Sequence, residues 1–297
     1  MVVKGNDGVA RAFFNVCRHK GAAILIETEG RAQILRCPYH GWTYTLDGKL
    51  KGTPDFSGVQ NFDPSANGLV SLQTALWQHW AFVRPEANGS SLEEFLGAEL
   101  SQQAQGLAVK DLHWAERRHY TLNCNWKVFI DNYLDGGYHV PHLHSGLNSV
   151  LDYGKYTIEN GEHYCVQSAP VLNSESSTAG VRRGDRAVYL WLYPNFMINW
   201  YEGVMDTNLV IPRSVDRTEV VFDFYFAGHS EQTRKDHLAS IAVSEQIQGE
   251  DVAICESVQR GLTSPAYRPG RLSLRREAGE HLFHKLLYLD LKKGLGE

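Results

Sequence analysis

Two short cysteine–histidine pairs near the start constrain this chain more than any other feature. Cys17-Arg18-His19 is followed, after seventeen intervening residues, by Cys37-Pro38-Tyr39-His40. Each pair ends a predicted strand, over Ala12–Val16 and Gln33–Arg36, so both pairs can sit on loops at one end of a β module. Two thiolates and two imidazoles converging there can hold a metal centre. Zinc fingers order their ligands Cys, Cys, His, His, with the histidines on a helix. Here the order is Cys, His, Cys, His, on loops. That order suits a [2Fe–2S] centre with both cysteines on one iron and both histidines on the other. The alternatives are a structural zinc site or unrelated core cysteines and histidines.

The surrounding sequence says what kind of chain carries these pairs. With 43% apolar and 21% charged residues in 297, it can bury a sizeable core. A net charge of -5 argues against a nucleic-acid binder, which needs a basic stripe. No apolar run is long enough to span a membrane, and Met1-Val2-Val3-Lys4 opens no secretory signal. The cysteines, at 17, 37, 124, 165 and 255, are odd in number, which suits reduced thiols in a cytoplasmic protein.

Glycine turns such as Asp7-Gly8, Asp47-Gly48 and Asn67-Gly68 separate the short strands of an all-β module over residues 1–88. The breaker-rich Pro85-Glu86-Ala87-Asn88-Gly89 marks its end, and Ser90 or Ser91 caps a helix with Glu93 and Glu94 in its first turn. Residues 89–297 mix both element types. Strands are predicted at 119–122, 187–193, 196–201, 207–211 and 219–226. Helices are predicted at 126–134, 231–260 and 277–290, the long one with Ile241, Ile247, Ile254 and Val258 on one side. Residues 170–186 read as a mobile loop over a site. The whole is α+β with an antiparallel sheet flanked by helices.

Cys17-Arg18-His19-Lys20-Gly21 and Cys37-Pro38-Tyr39-His40-Gly41-Trp42 resemble the two cluster-binding boxes of Rieske domains. Thr43-Tyr44 and Asp47-Gly48 match the oxygenase version. That family carries further strands ahead of its first box, so this module reads as N-terminally shortened: a fragment, a mis-called start or a shortened variant. Loss of those strands would expose a sheet edge and part of the core.

A second constellation lies in the run Asn125 to His144. His139 and His144 are five apart, off register for one helical face, but Gly136, Gly137 and Pro141 break the helix and let both rings turn to one centre. A distant carboxylate would complete two-His-one-carboxylate facial ligation with positions open for dioxygen. Asp251 is the candidate, Glu250 beside it is the rival, and His142 is a neighbour. This segment resembles the catalytic domain of Rieske non-haem iron oxygenase α subunits, a helix-grip fold. Asn125-Trp126-Lys127, Tyr138-His139, the His139/His144 spacing and Asp251 fall on that family's features. The family's electron-bridging carboxylate sits three residues before the first ligand histidine. Here that residue is Gly136, so Asp135 takes the role, with Asp131 second.

Leu192 to Tyr201, Met205 to Val210 and Asp131 to Pro141 look like the choline monooxygenase branch. A quaternary ammonium group is held by aromatic faces, at roughly 0.5–2 kcal/mol per ring. Trp191, Tyr193 and Trp200 are the candidate cage, with Glu202 or Asp206 as the acid; ordinary sheet core is the alternative for each ring. The resemblance implies the terminal oxygenase of a system in which a reductase, with or without a ferredoxin, passes NAD(P)H electrons to the cluster. It also implies a homotrimer, the cluster of one chain serving the Fe(II) of its neighbour. An aromatic-ring-hydroxylating dioxygenase and a non-catalytic iron–sulfur redox sensor are the other readings.

Overall fold

Seven short strands, β1 (Val2–Lys4), β2 (Ala10–Phe13), β3 (Leu35–Arg36), β4 (Thr43–Tyr44), β5 (Leu50–Gly52), β6 (Ser71–Trp77) and β7 (Trp80–Arg84), build the first part of the chain. They form a four-stranded sheet, order β1-β2-β6-β7, and a three-stranded sheet, β3-β4-β5. Its core holds Phe13, Ile24, Leu35, Trp42 and Tyr44 together with Cys17 and Cys37. The expected strand at 12–16 stops at Phe13. Asn15 explains the early stop: its side chain accepts the N–H groups of Ile24 and Leu25 and donates to the Leu25 carbonyl, tying down the loop that follows. This computed structural model describes residues 1–86, 88–172, 177–228 and 231–296.

Helix α1 (Leu92–Gln105) opens with a reciprocal cap in which Ser91 and Glu94 each receive the other's backbone N–H. The chain divides into two compact units, Met1–Glu94 and Phe95–Glu297. Ala87, inside the expected boundary, lies outside the described residues.

The second unit continues with β8 (His113–Leu122), α2 (Trp126–Leu134), α3 (Val140–Leu143), α4 (Ser145–Asn148), β9 (Thr157–Asn160), β10 (Tyr164–Pro170) and α5 (Ser177–Val181). It ends with β11 (Arg186–Leu192), β12 (Phe196–Tyr201), β13 (Val204–Ser214), β14 (Arg217–Phe226), α6 (Glu231–Leu262) and α7 (Ala278–Gly294). The strands form one antiparallel sheet in the order β8-β14-β13-β12-β11-β10-β9. The α+β, helix-flanked architecture expected from the sequence is the one found. Phe129 and Leu134 of α2, Ile241 and Cys255 of α6 and Phe283 of α7 share a single core with Trp191, Met197, Val210, Val220, Phe222, Phe224 and Phe226 from the sheet. No described helix is long and apolar enough to cross a membrane.

Three local expectations change. β9 and β10 were not expected, because Gln167 and Ser168 interrupt the apolar alternation of β10. Part of the segment expected as a loop is strand or helix, in β10, α5 and β11; residues 173–176 of it lie outside the described residues. On α6 the buried positions are Ser240, Ile241, Ser244, Gln248 and Cys255, while Ile254 and Val258 are 38% and 44% exposed. The inward face of that helix is partly polar because it lines a site, which hides it from a search for apolar periodicity.

Candidate functional site

The two Cys–His loops share one backbone design. The Cys17 N–H bonds the Ala22 carbonyl and the Gly21 N–H returns to the Cys17 carbonyl; Cys37 does the same with Trp42 and Gly41. Gly21 and Gly41 adopt φ of 77° and 71°, the left-handed region glycine tolerates best. The loops bring the His19 and His40 rings to 4.6 Å between centroids, and His19 stacks on Trp42. Both cysteines are buried and unbridged. Burial pushes the Cys17 thiol up, but hydrogen bonding from the Tyr44 hydroxyl, 3.3 Å away, and from the His19 N–H more than offsets it, so its pKa lies below the ordinary value. His19 Nδ1 is buried without a hydrogen-bond partner. A sulfur whose pKa is held below its ordinary value and an orphaned imidazole nitrogen suit a cluster.

In the second unit α2 is capped by Asn125 and ends at Asp135, after which Gly136 and Gly137 both take φ of 67°. A Cβ on Gly136 would lie 2.0 Å from the Arg276 carbonyl oxygen. This glycine pair turns the chain so that His139 and His144 meet, their rings 4.8 Å apart. Pro141 does not break a helix as expected. It sits in the first turn of α3, where its missing N–H costs nothing. Ligating atoms of His139, His144 and Asp251 all lie within 4.8 Å of one another. His144 is 1% exposed, and its Nε2 lies 3.1 Å from Asp251 Oδ1. Burial lowers the His144 pKa, but the Asp251 and Glu250 carboxylates outweigh it and hold it above the ordinary value. Asn132 donates to Asp251 Oδ1 at 2.8 Å, a contact no spacing argument could foresee. Three convergent donors of this kind fit a divalent iron with open positions.

Asp135 accepts the backbone N–H groups of Tyr138 and His139, and its Oδ2 lies 2.6 Å from His139 Nδ1. The glycine pair thus lets an acid four residues upstream reach the His139 ring. His142 is exposed and outside the group.

His139, His144 and Asp251 line a cavity enclosing about 770 Å³ of atom-free space including its mouth. Its floor is one row of paired residues across four strands: Gln167 opposite Tyr189, Tyr189 opposite Asn199, Asn199 opposite Asp206. Tyr133, Tyr156 and Tyr201 complete an aromatic wall. Their hydroxyls are spent on protein partners: Tyr133 donates to Asn199 Oδ1, Tyr156 to Gln167 Oε1, and Tyr189 bonds Tyr201 at 2.5 Å. Burial pushes all four tyrosine pKa values up, keeping the phenols neutral. Burial also raises the Asp206 carboxyl, opposed by Arg182 and by donors on Asn199 and Asn208.

The expected cage residues lie elsewhere. Trp191 is fully buried in the core against Phe283, and Tyr193 donates to Asp290 on α7. Trp200 is half-buried one position off the inward row. None of the three lines the cavity. Glu202 does not line it either, whereas Asp206 does.

Asp131, the alternative bridge, instead belongs to a second group with Glu280 and His284, and its Oδ1 lies 2.9 Å from His284 Nε2. Burial, then Asp131 and Glu277, push Glu280 up to about 8. Between its ordinary value of 4.5 and about 8 the folded chain keeps a proton that the unfolded chain has lost, so stability falls as pH rises through that window. Thermal melts across it are expected to show a declining midpoint, flattened in Glu280→Gln. His284, raised chiefly by its bond to Asp131, contributes a decline of the same sign.

Residues 1–63 match the Rieske [2Fe-2S] domain family, and residues 109–288 match the ring hydroxylating alpha subunit (catalytic domain) family. The chain is 40% identical to the chloroplastic choline monooxygenase of Arabidopsis thaliana, covering 98% of this chain and 71% of that one. The same enzyme from Beta vulgaris is 36% identical, and the chain spans 66% of its length. The carnitine monooxygenase oxygenase subunit of Acinetobacter baumannii is 30% identical, over 98% of this chain and 79% of that one. A crystal structure of a quaternary ammonium Rieske monooxygenase superposes with a TM-score of 0.84 at 28% identity, covering 97% and 80% of the two chains. Naphthalene 1,2-dioxygenase shares the fold, with a TM-score of 0.76 at 16% identity.

Proposed function

This chain belongs to the Rieske non-haem iron oxygenase α-subunit family, and on that premise we propose that it is the terminal oxygenase of a system that hydroxylates a small quaternary ammonium compound, choline being the first candidate. The family makes it an oxidoreductase with a [2Fe–2S] cluster and a mononuclear iron. Cys17, His19, Cys37 and His40 would hold the cluster, and His139, His144 and Asp251 the iron. When bound, the two centres supply single-electron delivery and reductive activation of dioxygen.

The chain's own residues supply the rest. The tyrosine wall offers neutral aromatic faces to a trimethylammonium group, which cannot donate a hydrogen bond through its nitrogen. Asp206, held by Asn199 and Asn208, places carboxylate oxygens on the same floor. The enclosing wall excludes water from the reacting carbon and orients it toward the metal ligands. Asp135, bonded to a ligand histidine, is the proposed bridge for electrons arriving from a partner subunit's cluster. A relative's structure is described in terms of inter-subunit electron transfer, which supports a multimer; a homotrimer is the assembly we propose. A reductase, with or without a ferredoxin, would draw on NAD(P)H. Five unbridged cysteines suit a reducing compartment such as the cytoplasm.

The observation that carries this reading is a set of three metal-ligating groups on the wall of a cavity whose floor is tyrosine, amide and one buried acid. An assay with NADH, reductase and ferredoxin, offering choline, other trimethylammonium compounds and simple aromatic acids, tests it. Dioxygen-dependent product from the ammonium compounds is expected, and turnover of the aromatic acids alone would overturn the reading. Tyr189→Leu is expected to raise KM for the ammonium substrate roughly 2- to 30-fold with little change in kcat, the equivalent of one cation–π contact of about 0.5–2 kcal/mol.

A further inference from the structure

Glu250 and Asp251 are consecutive on α6, yet both reach the same imidazole. Glu250 Oε2 lies 2.6 Å from His144 Nδ1, and Asp251 Oδ1 lies 3.1 Å from His144 Nε2. Neighbouring residues on an α-helix point about 100° apart, so two side chains can grip opposite edges of one ring. The longer arm of Glu250 reaches the far edge. We propose that Glu250 is a positioning residue: it holds His144 as the Nδ1–H tautomer and aims Nε2 at the mononuclear metal, leaving Asp251 as the carboxylate ligand. This rests on the ligand set proposed above.

The physical reason is the division of labour within an imidazole. A neutral ring coordinates through one nitrogen and carries its proton on the other, and a carboxylate accepting that proton fixes both tautomer and ring plane while making the ligand nitrogen more basic. His144 is 1% exposed, so water cannot take over this task readily. Glu250 is itself steadied, since its Oε1 accepts from Gln246 Nε2 at 3.2 Å, one turn back on α6. The other ligand ring is arranged in the same sense: Asp135 accepts at His139 Nδ1, also at 2.6 Å, while its oxygens are fixed by two backbone N–H groups. Without Glu250, the ring is free to keep its proton on Nε2 and donate it to Asp251, a hydrogen bond that would occupy two ligands at once.

The test measures metal binding at the mononuclear site rather than turnover. Full-length Glu250→Leu, Glu250→Gln and Asp251→Ala proteins are loaded with cluster, checked for the unchanged cluster spectrum and for melting, then titrated with Co(II), whose visible spectrum reports coordination. Glu250→Leu is expected to weaken Co(II) affinity about 10–100-fold. Glu250→Gln keeps an acceptor oxygen and is expected to restore most of that loss with a wild-type spectrum. Asp251→Ala is expected to remove binding, which establishes the ligand set independently. Wild-type affinity in Glu250→Leu, with Asp251→Ala inactive in binding, overturns the positioning role alone. Equal losses in the Leu and Gln variants overturn it as well, since no acceptor effect would remain. Undiminished binding in Asp251→Ala overturns the ligand set, and the role built on it falls too.

Discussion

Replacing His144 with alanine is expected to abolish turnover while the iron–sulfur chromophore survives. The loss should exceed the roughly 10–100-fold that follows removal of a partner bonded to a ligand, because a donor atom itself disappears. Among the described residues the group holds no further histidine. His142 is exposed and outside the ligand group, and Glu250 reaches the ring from its other edge. The measurement is iron against acid-labile sulfide per chain: iron should fall by one equivalent and sulfide should hold. The four proposed cluster ligands come from the loops around Cys17 and Cys37, in the other compact unit, so the substitution leaves them intact. Retained turnover in His144→Ala would show that the metal is held elsewhere.

Trp191→Ala is expected to act through stability instead. The side chain is fully buried, packs edge-to-face on Phe283 at 5.7 Å, and donates its indole N–H to the Pro194 carbonyl. Truncating a core tryptophan costs about 3–5 kcal/mol, a transfer term plus the cavity left behind. For a unit of this size that lowers the melting midpoint by roughly 6–20 °C. At a permissive temperature the remaining folded protein should bind substrate with unchanged KM. A selective rise in KM with normal melting would return Trp191 to the substrate wall. Tyr189→Leu provides the contrast, because its ring lines the cavity two residues along the same strand face.

These two residues also show how far local sequence reaches. Strand alternation correctly puts Tyr189, Trp191 and Tyr193 on one face. It is silent on which step along that face meets the cavity. The answer lies in cross-strand rows. Gln167, Tyr189, Asn199 and Asp206 form the polar row, and one step along Cys165, Trp191 and Met197 form a row with no exposure at all. Trp200 fails differently, since an even–odd step puts it off the inward row. The long helix misleads for a related reason: Ser244, Gln248 and Asp251 occupy its inward face because they line a site, so the apolar pattern selects Ile254 and Val258, which face solvent.

The two Cys–His loops are legible in the sequence because their backbone turns are local, although Tyr44 and Trp42 complete the first of them from further along the chain. A cysteine, a histidine two or three residues on and a glycine with positive φ close each loop through a hydrogen bond within five residues. The turn that joins His139 to His144 is similarly written in Gly136 and Gly137. Asp251 is preferred to its rival Glu250 through the family resemblance and not through local spacing, since both are acids on one helix 106 or more residues from the ring they share. Chemistry confined to a few adjacent residues is set by the backbone conformations those residues permit. Which nitrogen each acid faces, and which aromatic row becomes the cavity floor, is set by how distant strands and helices pack, and that free energy belongs to no single segment.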